Sequence, residues 1–237
     1  MITNKLIFDT LLSDIQDQKI KRVVIGFNWT LVETEFGCGL ANTPRKTDES
    51  CFSIPNAGNL TNLTTCDAST LIYSQNPIEV SIGLATINSF YNRFDLIASN
   101  RNGLDFFSDI NGPVTVIGRF PNLAKRFKNV RVIEKKPLRG EYGENDAAKI
   151  LPDSAGVLIT SSTLTNGTAG NLIELSKNAS VCLVGPSTPL APKLLNLGIN
   201  CLAGTIVTNL KQMLIAVSEG GAATTLKPFG SFKIISR

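Results

Sequence analysis

Histidine is missing from this chain of 237 residues. That excludes a Ser-His-Asp triad, a Cys-His pair and any imidazole metal ligand. A general base would have to be Asp, Glu, Lys, Tyr or Cys, and a metal would have to take thiolate, carboxylate or carbonyl donors. Cysteine is sparse: five residues, an odd number, with no CxxC pair. Cys38, Cys51 and Cys66 are irregularly spaced, while Cys182 and Cys201 sit inside apolar runs and read as small core residues. No apolar run is long enough to span a bilayer, so no membrane partner is expected. The N-terminal stretch has an amphipathic helix pattern, with Leu6, Ile7, Leu11 and Ile15 on one face. Asp9, Asp14 and Asp17 break any signal-peptide core. The expectation is a cytoplasmic protein. The five N-x-S/T triplets, at Asn28, Asn59, Asn62, Asn166 and Asn178, are then not glycosylation sites.

Charge is also modest, at +4. The basic residues do cluster: Arg119, Lys125, Arg126, Lys128, Arg131, Lys135, Lys136 and Arg139 share their stretch with one acid, Glu134. A solvated face accounts for such a run, and attraction of an anionic ligand is the alternative. Without interleaved aromatics or a recognisable module, no nucleic acid partner is expected.

What the chain does contain is two stretches with different grammar. From about residue 113, apolar runs alternate with helical patterns: "VTVIG", "VRVIE", "GVLIT", "VCLVG", "CLAG" and a final "FKIIS", with "PNLAKRF", "NDAAKIL", "TAGNLIELSK", "PLAPKLLNLG" and "NLKQMLIAVSEGG" between them. That predicts an α/β, Rossmann-like, doubly wound and mostly parallel sheet. The first hundred residues predict a small α+β domain. After the N-terminal helix, Phe27, Trp29 and Leu31 alternate with Asn28 and Thr30, and "ETEFG" turns the chain into "GLANTP", a hairpin. A helix follows over 76–92, with Asn76 as N-cap, Pro77 in the first turn and Glu79 at the third position. Gly83 and Ala85 make that helix slim, so something packs close to it. The Asn/Gly/Asp-rich segment 98–113 is the expected connection, giving domains at 1–104 and 105–237. The polar stretch 44–65 reads as a long loop.

In an open parallel sheet, ligands bind outside the carboxyl ends of the strands. Those ends carry Gly118 and Arg119, then Glu134, then the nine residues from Thr160 to Thr168, then Gly185, Pro186, Ser187 and Thr188. The first end lacks G-x-G-x-x-G, so an NAD site is poorly supported. Glu134 stands where such sheets place a carboxylate against ribose hydroxyls, or is a surface acid among lysines. Thr160, Ser161, Ser162, Thr163, Thr165, Asn166 and Thr168 are seven hydroxyl or amide side chains in nine residues. Asn166–Gly167 supplies a turn and Thr168 opens a helix, whose free N–H groups either hold an anion or are simply capped. "GPSTP" invites the same two readings. In the first domain, Gly37 and Gly39 leave one strand face bare, for close approach of a ligand or of the other domain.

Together "VVIGFNWTLVET", "GCGLANTP", "SIGLATINSF", "VIGRFP", "VIEKKP", "LITSSTLTNGT" and "LVGPSTPLAPKLLNLGINCLAG" resemble, in order and over nearly the whole chain, the prokaryotic family labelled putative heavy-metal chelation. The resemblance implies an enolase N-terminal-like domain followed by a Rossmann-like domain, with a site in the cleft between them. It implies condensation or hydrolysis of flavin-, pterin- or siderophore-like molecules and specifies no cofactor. Carried over by motif, the ligand-binding candidates are Asn28, Thr30, Gly37, Gly39, Asn42 and Asn88 from the first domain. From the second come Gly118, Arg119, Glu134, Thr160, Ser161, Asn166, Gly167, Thr168, Gly185, Pro186 and Ser187. Two positions depart from the family pattern: Gly156 where an acid is expected, and Ser161 where glycine is expected, which would bulk up the crevice. The chain then reads either as an enzyme on a small heteroaromatic or nucleotide-like metabolite, with Glu134, Glu33 or Glu35 as base, or as a non-catalytic binder of a metal or metal chelate. Its apolar helices leave room for a homo-oligomer without specifying one.

Overall fold

The computed structural model describes residues 1–44 and 53–237; Cys51 and part of the polar stretch 44–65 lie outside them. Helix α1 (Asn4–Leu12) starts where the Thr3 hydroxyl accepts from Leu6 N at 3.1 Å. Its buried face is Ile7, Phe8 and Leu11; Leu6, expected on that face, is exposed. Strands β1 (Arg22–Ile25), β2 (Trp29–Glu33) and β3 (Cys38–Asn42) form an antiparallel sheet in sequence order, with the expected hairpin between β2 and β3. A short helix, α2 (Thr65–Ser69), leads to α3 (Pro77–Tyr91), which begins as its sequence predicts: Asn76 Oδ1 accepts from Ile78 N at 3.0 Å, and Pro77 and Glu79 occupy the first turn.

Almost all of α3 is buried, as expected of a helix without a polar face. A Cβ at Gly39 would stand 1.9 Å from Ala85 O, and one at Gly37 would stand 2.0 Å from Ser89 O. The bare strand face is therefore filled by α3 of the same half, and neither a ligand nor the second domain approaches it. Gly83, on the same helix, lets the turn at Thr70–Tyr73 come equally close.

The second half follows with β4 (Val114–Ile117), α4 (Leu123–Arg126), β5 (Val130–Glu134), β6 (Tyr142–Gly143), α5 (Ala147–Ile150), β7 (Gly156–Thr160), α6 (Ser162–Thr165), α7 (Ala169–Leu175), β8 (Ser180–Val184), β9 (Cys201–Val207), α8 (Leu210–Ser218), α9 (Ala223–Leu226) and β10 (Gly230–Ser236). The sheet order is β10-β9-β8-β7-β4-β5-β6, all parallel except β10 against β9. Numbered by appearance, its parallel strands run 3-2-1-4-5-6, the doubly wound order, and direction reverses between β4 and β7. Several expected helices are short: "PLAPKLLNLG" forms a 3-10 segment, Pro192–Leu197.

The two halves interlock. α1 packs against α7 and the Pro192–Leu197 turn, on the second sheet's side of the molecule. In return α8 covers the small sheet, where Met213 and Val217 meet Trp29, Leu31 and Leu40. One core runs through both halves, with Phe8, Leu11, Leu84 and Ile87 joined to Ile159, Leu172 and Leu183. The other face of the large sheet carries Val116, Leu158, Cys182, Val184 and Ala203 under Leu104 and Phe107. Segment 98–113 is pinned to the sheet edge at Ser99, whose N donates to Ile234 O at 3.3 Å while Ile234 N donates to Ser99 O at 3.0 Å, and then crosses the sheet face.

Candidate functional site

Where the order of the large sheet reverses, a cleft of about 1180 Å³ opens between the halves. The second half supplies Gly118, Arg119, Glu134, Lys135, Thr160 and the segment from Ser162 to Thr168; the first supplies Lys5, Asn42, Tyr73, Ser74 and Gln75. Eight of the sequence candidates thus meet in one place: Asn42, Gly118, Arg119, Glu134, Thr160, Asn166, Gly167 and Thr168. Gly118 is needed there on two counts. Its φ is +98°, and a Cβ would come 2.9 Å from Thr160 Cγ2.

The Glu134 side chain is half-buried at the end of β5 and accepts from Lys135 N at 3.2 Å. Among the described residues it makes no ion pair. Arg119, by contrast, is held at the rim by Glu141: Nε donates to Oε1 at 3.0 Å and Nη2 to Oε2 at 2.6 Å. The Arg119 guanidinium, helped by the Leu138 amide, pulls the Glu141 carboxyl down to about 2. Burial and a hydrogen bond to Asp9 push the Tyr73 phenol up to about 12, so it lines the cleft as a neutral donor already used.

The loop after β7 is largely self-satisfied. Thr163 Oγ1 donates to Thr160 O at 2.7 Å, and Thr165 Oγ1 to Ser162 O at 2.8 Å. Asn166 Oδ1 accepts from Thr168 N at 3.1 Å and from Thr168 Oγ1 at 2.7 Å. Gly167, with φ +74°, makes the predicted turn. The amides expected to be open at α7 are partly taken: Gly170 N donates to Asn4 Oδ1 at 2.7 Å, while Asn4 Nδ2 donates to Gly167 O. Thr168, the N-cap residue, makes no side-chain cap bond, and Asn4 of α1 takes the Gly170 amide instead. What the loop presents to the cleft is a row of hydroxyls and the exposed Asn166.

Of the remaining candidates, Asn28, Asn88 and Ser187 are spent on joining the halves, while Thr30 is used within the first half. Asn28 Nδ2 donates to Gly220 O at 2.7 Å, and the Thr30 and Thr43 hydroxyls lie 2.9 Å apart. Asn88 Nδ2 bridges Leu40 O at 2.7 Å and Ser187 O at 3.0 Å, and Ser187 Oγ accepts from Asn42 N at 2.9 Å. Ser161 is buried, its amide donating to Val184 O at 2.8 Å, so it does not narrow the cleft as expected. Gly156 packs under Phe107 and Ile110. Gly185 and Pro186 line a second, smaller cavity, and "GPSTP" is a turn with no helix behind it. Glu33 pairs with Arg22 on the small sheet at 3.7 Å, and neither it nor Glu35 lines the cleft.

Sequence reasoning missed Asn92, whose Nδ2 donates to Thr188 O at 3.0 Å and Thr205 O at 3.2 Å while Oδ1 accepts from Leu190 N at 2.9 Å. It also missed Lys5, Tyr73 and Ser74 in the cleft wall. A search of strand ends cannot find residues that arrive from other elements.

The donors among the described residues do not suit a resident metal ion. Among the described residues no three His, Cys, Asp or Glu side chains converge. Cys38 is buried with its thiol pushed well up, Cys66 is exposed, and Cys182 and Cys201 form a buried pair on adjacent strands. No described helix is long and apolar enough to cross a membrane.

Two family models, both described as putative heavy-metal chelation, match residues 8–91 and 103–236. The chain belongs to this family. Within it, a crystal structure of a protein with unknown function from the DUF364 family of Desulfitobacterium hafniense DCB-2 superposes with a TM-score of 0.87 at 28% identity, covering 98% of both chains. A second DUF364 protein of unknown function, from Pyrococcus horikoshii, gives 0.83 at 21% identity over 99% of both chains and supports the fold alone. Among curated sequences, the uncharacterized protein MJ0500 of Methanocaldococcus jannaschii is 23% identical over 167 residues, 63% of this chain and 63% of that protein. The chelation family's fold is thus the one seen here.

Proposed function

We propose that the cleft, built from residues 1–104 and 105–237 as two units, binds a small, polar, heteroaromatic metabolite of nucleoside, pterin or flavin type. One observation carries this reading: Glu134 ends the second parallel strand with a carboxylate that makes no ion pair among the described residues, beside the reversal point of a doubly wound sheet, in a cleft of about 1180 Å³. A carboxylate there accepts from a pair of ribose hydroxyls or from ring N–H groups. The Ser, Thr and Asn side chains beside it give neutral hydrogen bonding, and an anionic tail would have to take Lys5 from Asp9 (2.7 Å) or Lys135 from Glu144 (4.0 Å).

A second reading is favoured by the scattered metal donors together with the family description: the cargo is a metal already wrapped in an organic chelator, recognised through the chelator. Among the described residues, bare-ion binding has no donor set to rest on.

Differential scanning fluorimetry against S-adenosylmethionine, nucleosides, nucleotides, pterins, flavins, divalent metals and a ferric siderophore separates these. A ligand at 100-fold its Kd contributes about 2.7 kcal/mol, a rise in Tm of about 5–10 °C for a chain of this size. The expected result is a metabolite hit that EDTA leaves intact and that Glu134→Gln weakens about tenfold. Stabilisation by metal ions alone, abolished by EDTA, would overturn the metabolite reading. A siderophore hit needing both metal and chelator would install the second.

A further inference from the structure

Among the described residues, two aromatic side chains line the cleft: Phe8 of α1 and Tyr73 at the end of the Thr70–Tyr73 turn. Both come from the first half. The strand ends of the second half contribute hydroxyls, amides and charge to the lining, but no ring. The two aromatics are not equivalent. Phe8 is 7% exposed and belongs to the core that runs through both halves, whereas Tyr73 keeps 43% of its surface open. A ring left that open forgoes much of the burial that makes aromatics useful to a fold.

Tyr73 is nevertheless pinned. A Cβ at Gly83 would stand 2.3 Å from Ile72 N, so the backbone of the turn lies directly on α3, and the Ile72 side chain is buried beside it. The Tyr73 ring meets Phe8 edge to face, with centroids 5.8 Å apart and planes at 74°. Its hydroxyl donates to Asp9 Oδ1, and Asp9 Oδ2 accepts from Lys5 Nζ at 2.7 Å. The Lys5–Asp9 pair is too exposed to add much stability by itself. Its effect is local: it orients the carboxylate that holds the tip of the tyrosine. Backbone, ring edge and hydroxyl are thus each engaged, by α3, Phe8 and Asp9.

What Tyr73 can still offer a ligand follows by elimination. Its O–H is already used, so it does not supply a hydrogen bond to the occupant. The open part of the ring remains. A π-surface already fixed in place stacks on a flat ring without first being ordered. We infer that Tyr73 is the stacking platform of the cleft and makes it selective for ligands that carry a flat heteroaromatic ring. This rests on the reading of the cleft as a metabolite site, and names the part of the ligand that the first half recognises. A chelator of the hydroxamate type, which has no ring to stack, would gain nothing from Tyr73.

The test titrates adenosine, neopterin and riboflavin into the whole chain by isothermal calorimetry. The parent should bind at least one of them saturably. For that probe Tyr73→Leu should weaken binding about tenfold or more, while Tyr73→Phe and Tyr73→Trp stay within about threefold of the parent. Tm is recorded for each variant, because a tyrosine that served only the fold would change Tm and leave affinity in place. Glu134→Gln, run beside them, keeps the two claims apart. Binding weakened by Glu134→Gln and indifferent to Tyr73→Leu overturns the platform and leaves the metabolite reading standing. Binding weakened by Tyr73→Leu and indifferent to Glu134→Gln supports the platform and removes the carboxylate from the site. Tyr73→Phe as damaging as Tyr73→Leu overturns the platform, since the hydroxyl and not the ring would then matter. No saturable binding of any of the three probes up to about 1 mM overturns both.

Discussion

The loop after β7 (160–168) and the loop after β8 (185–188) leave neighbouring parallel strands at the same sheet edge, and both are rich in hydroxyl, glycine or proline residues. The first closes its hydrogen bonds within itself and with Asn4, and shows its outer side chains to the cleft. The second gives its backbone and Ser187 to α3 and β3: Asn88 and Asn92 hold its carbonyls, and Asn42 N holds the Ser187 hydroxyl. The difference lies in what stands opposite. Across from the 185–188 loop is a buried helix with amides to satisfy; the 160–168 segment packs one side on α3, β3 and Asn4 and turns its outer side to the cleft. A polar strand end becomes a binding surface only where no neighbouring element uses it first.

The largest expected effect comes from breaking the second loop's attachment. Asn92→Ala removes three side-chain hydrogen bonds and leaves two carbonyls and the Leu190 amide buried without partners. At about 1 kcal/mol or more each, the loss should reach about 3 kcal/mol. Urea unfolding followed by Trp29 fluorescence measures it. Affinity for the cleft ligand should change little if the two loops are independent, and a parallel loss of affinity would show that the seam also shapes the cleft.

Part of this was legible in the residues. The strand sequence of the second half, the β2–β3 hairpin and the start of α3 follow from apolar periodicity and capping chemistry, which are local. The cleft half of the candidate site was legible too, because strand ends in a parallel sheet converge whatever their neighbours do. Asn28, Asn88 and Ser187 were not separable from Asn42 or Thr160 by type or spacing. Their use as seam residues depends on the two halves packing around α3, and that contact is remote in sequence. Gly37 and Gly39 carried a correct signal, close approach, but the identity of the approaching group, the backbone of α3, lies about fifty residues away.

A smaller effect sharpens the role of the first loop. Asn166→Ala removes the acceptor for Thr168 Oγ1 and one of two for Thr168 N, which keeps Thr163 O at 3.0 Å, and should cost about 0.5–1 kcal/mol. Asn166→Asp keeps that acceptor and removes the amide donors. If Asn166 only caps, the Asp variant matches the parent in both stability and affinity. If its Nδ2 reaches the ligand, the Asp variant keeps its stability in urea unfolding and loses affinity in a titration.

The smallest effect concerns the rim opposite that loop, and its sign is fixed. The Arg119 guanidinium and the Leu138 amide hold the Glu141 carboxyl at about 2, below its ordinary value of 4.5. A depressed carboxyl stabilises the folded state above its unfolded pKa, and that contribution disappears as pH falls through the folded value. The clasp between Arg119 and the 138–141 turn should therefore be complete above about pH 4.5 and open on the way down to about 2. Arg119 is about half-exposed, so salt screens the pair and global stability should hardly register the change. Carboxyl carbon NMR of Glu141 reads it directly, and Arg119→Gln should move the titration back toward 4.5. The same signal decides whether Arg119 belongs to the site. An anionic ligand that recruits the guanidinium must take it from Glu141, so the carboxyl pKa rises when ligand is added. A ligand that ignores Arg119 leaves the titration where it was, and Arg119 is then a strut for the rim, as Asn88 is for the seam.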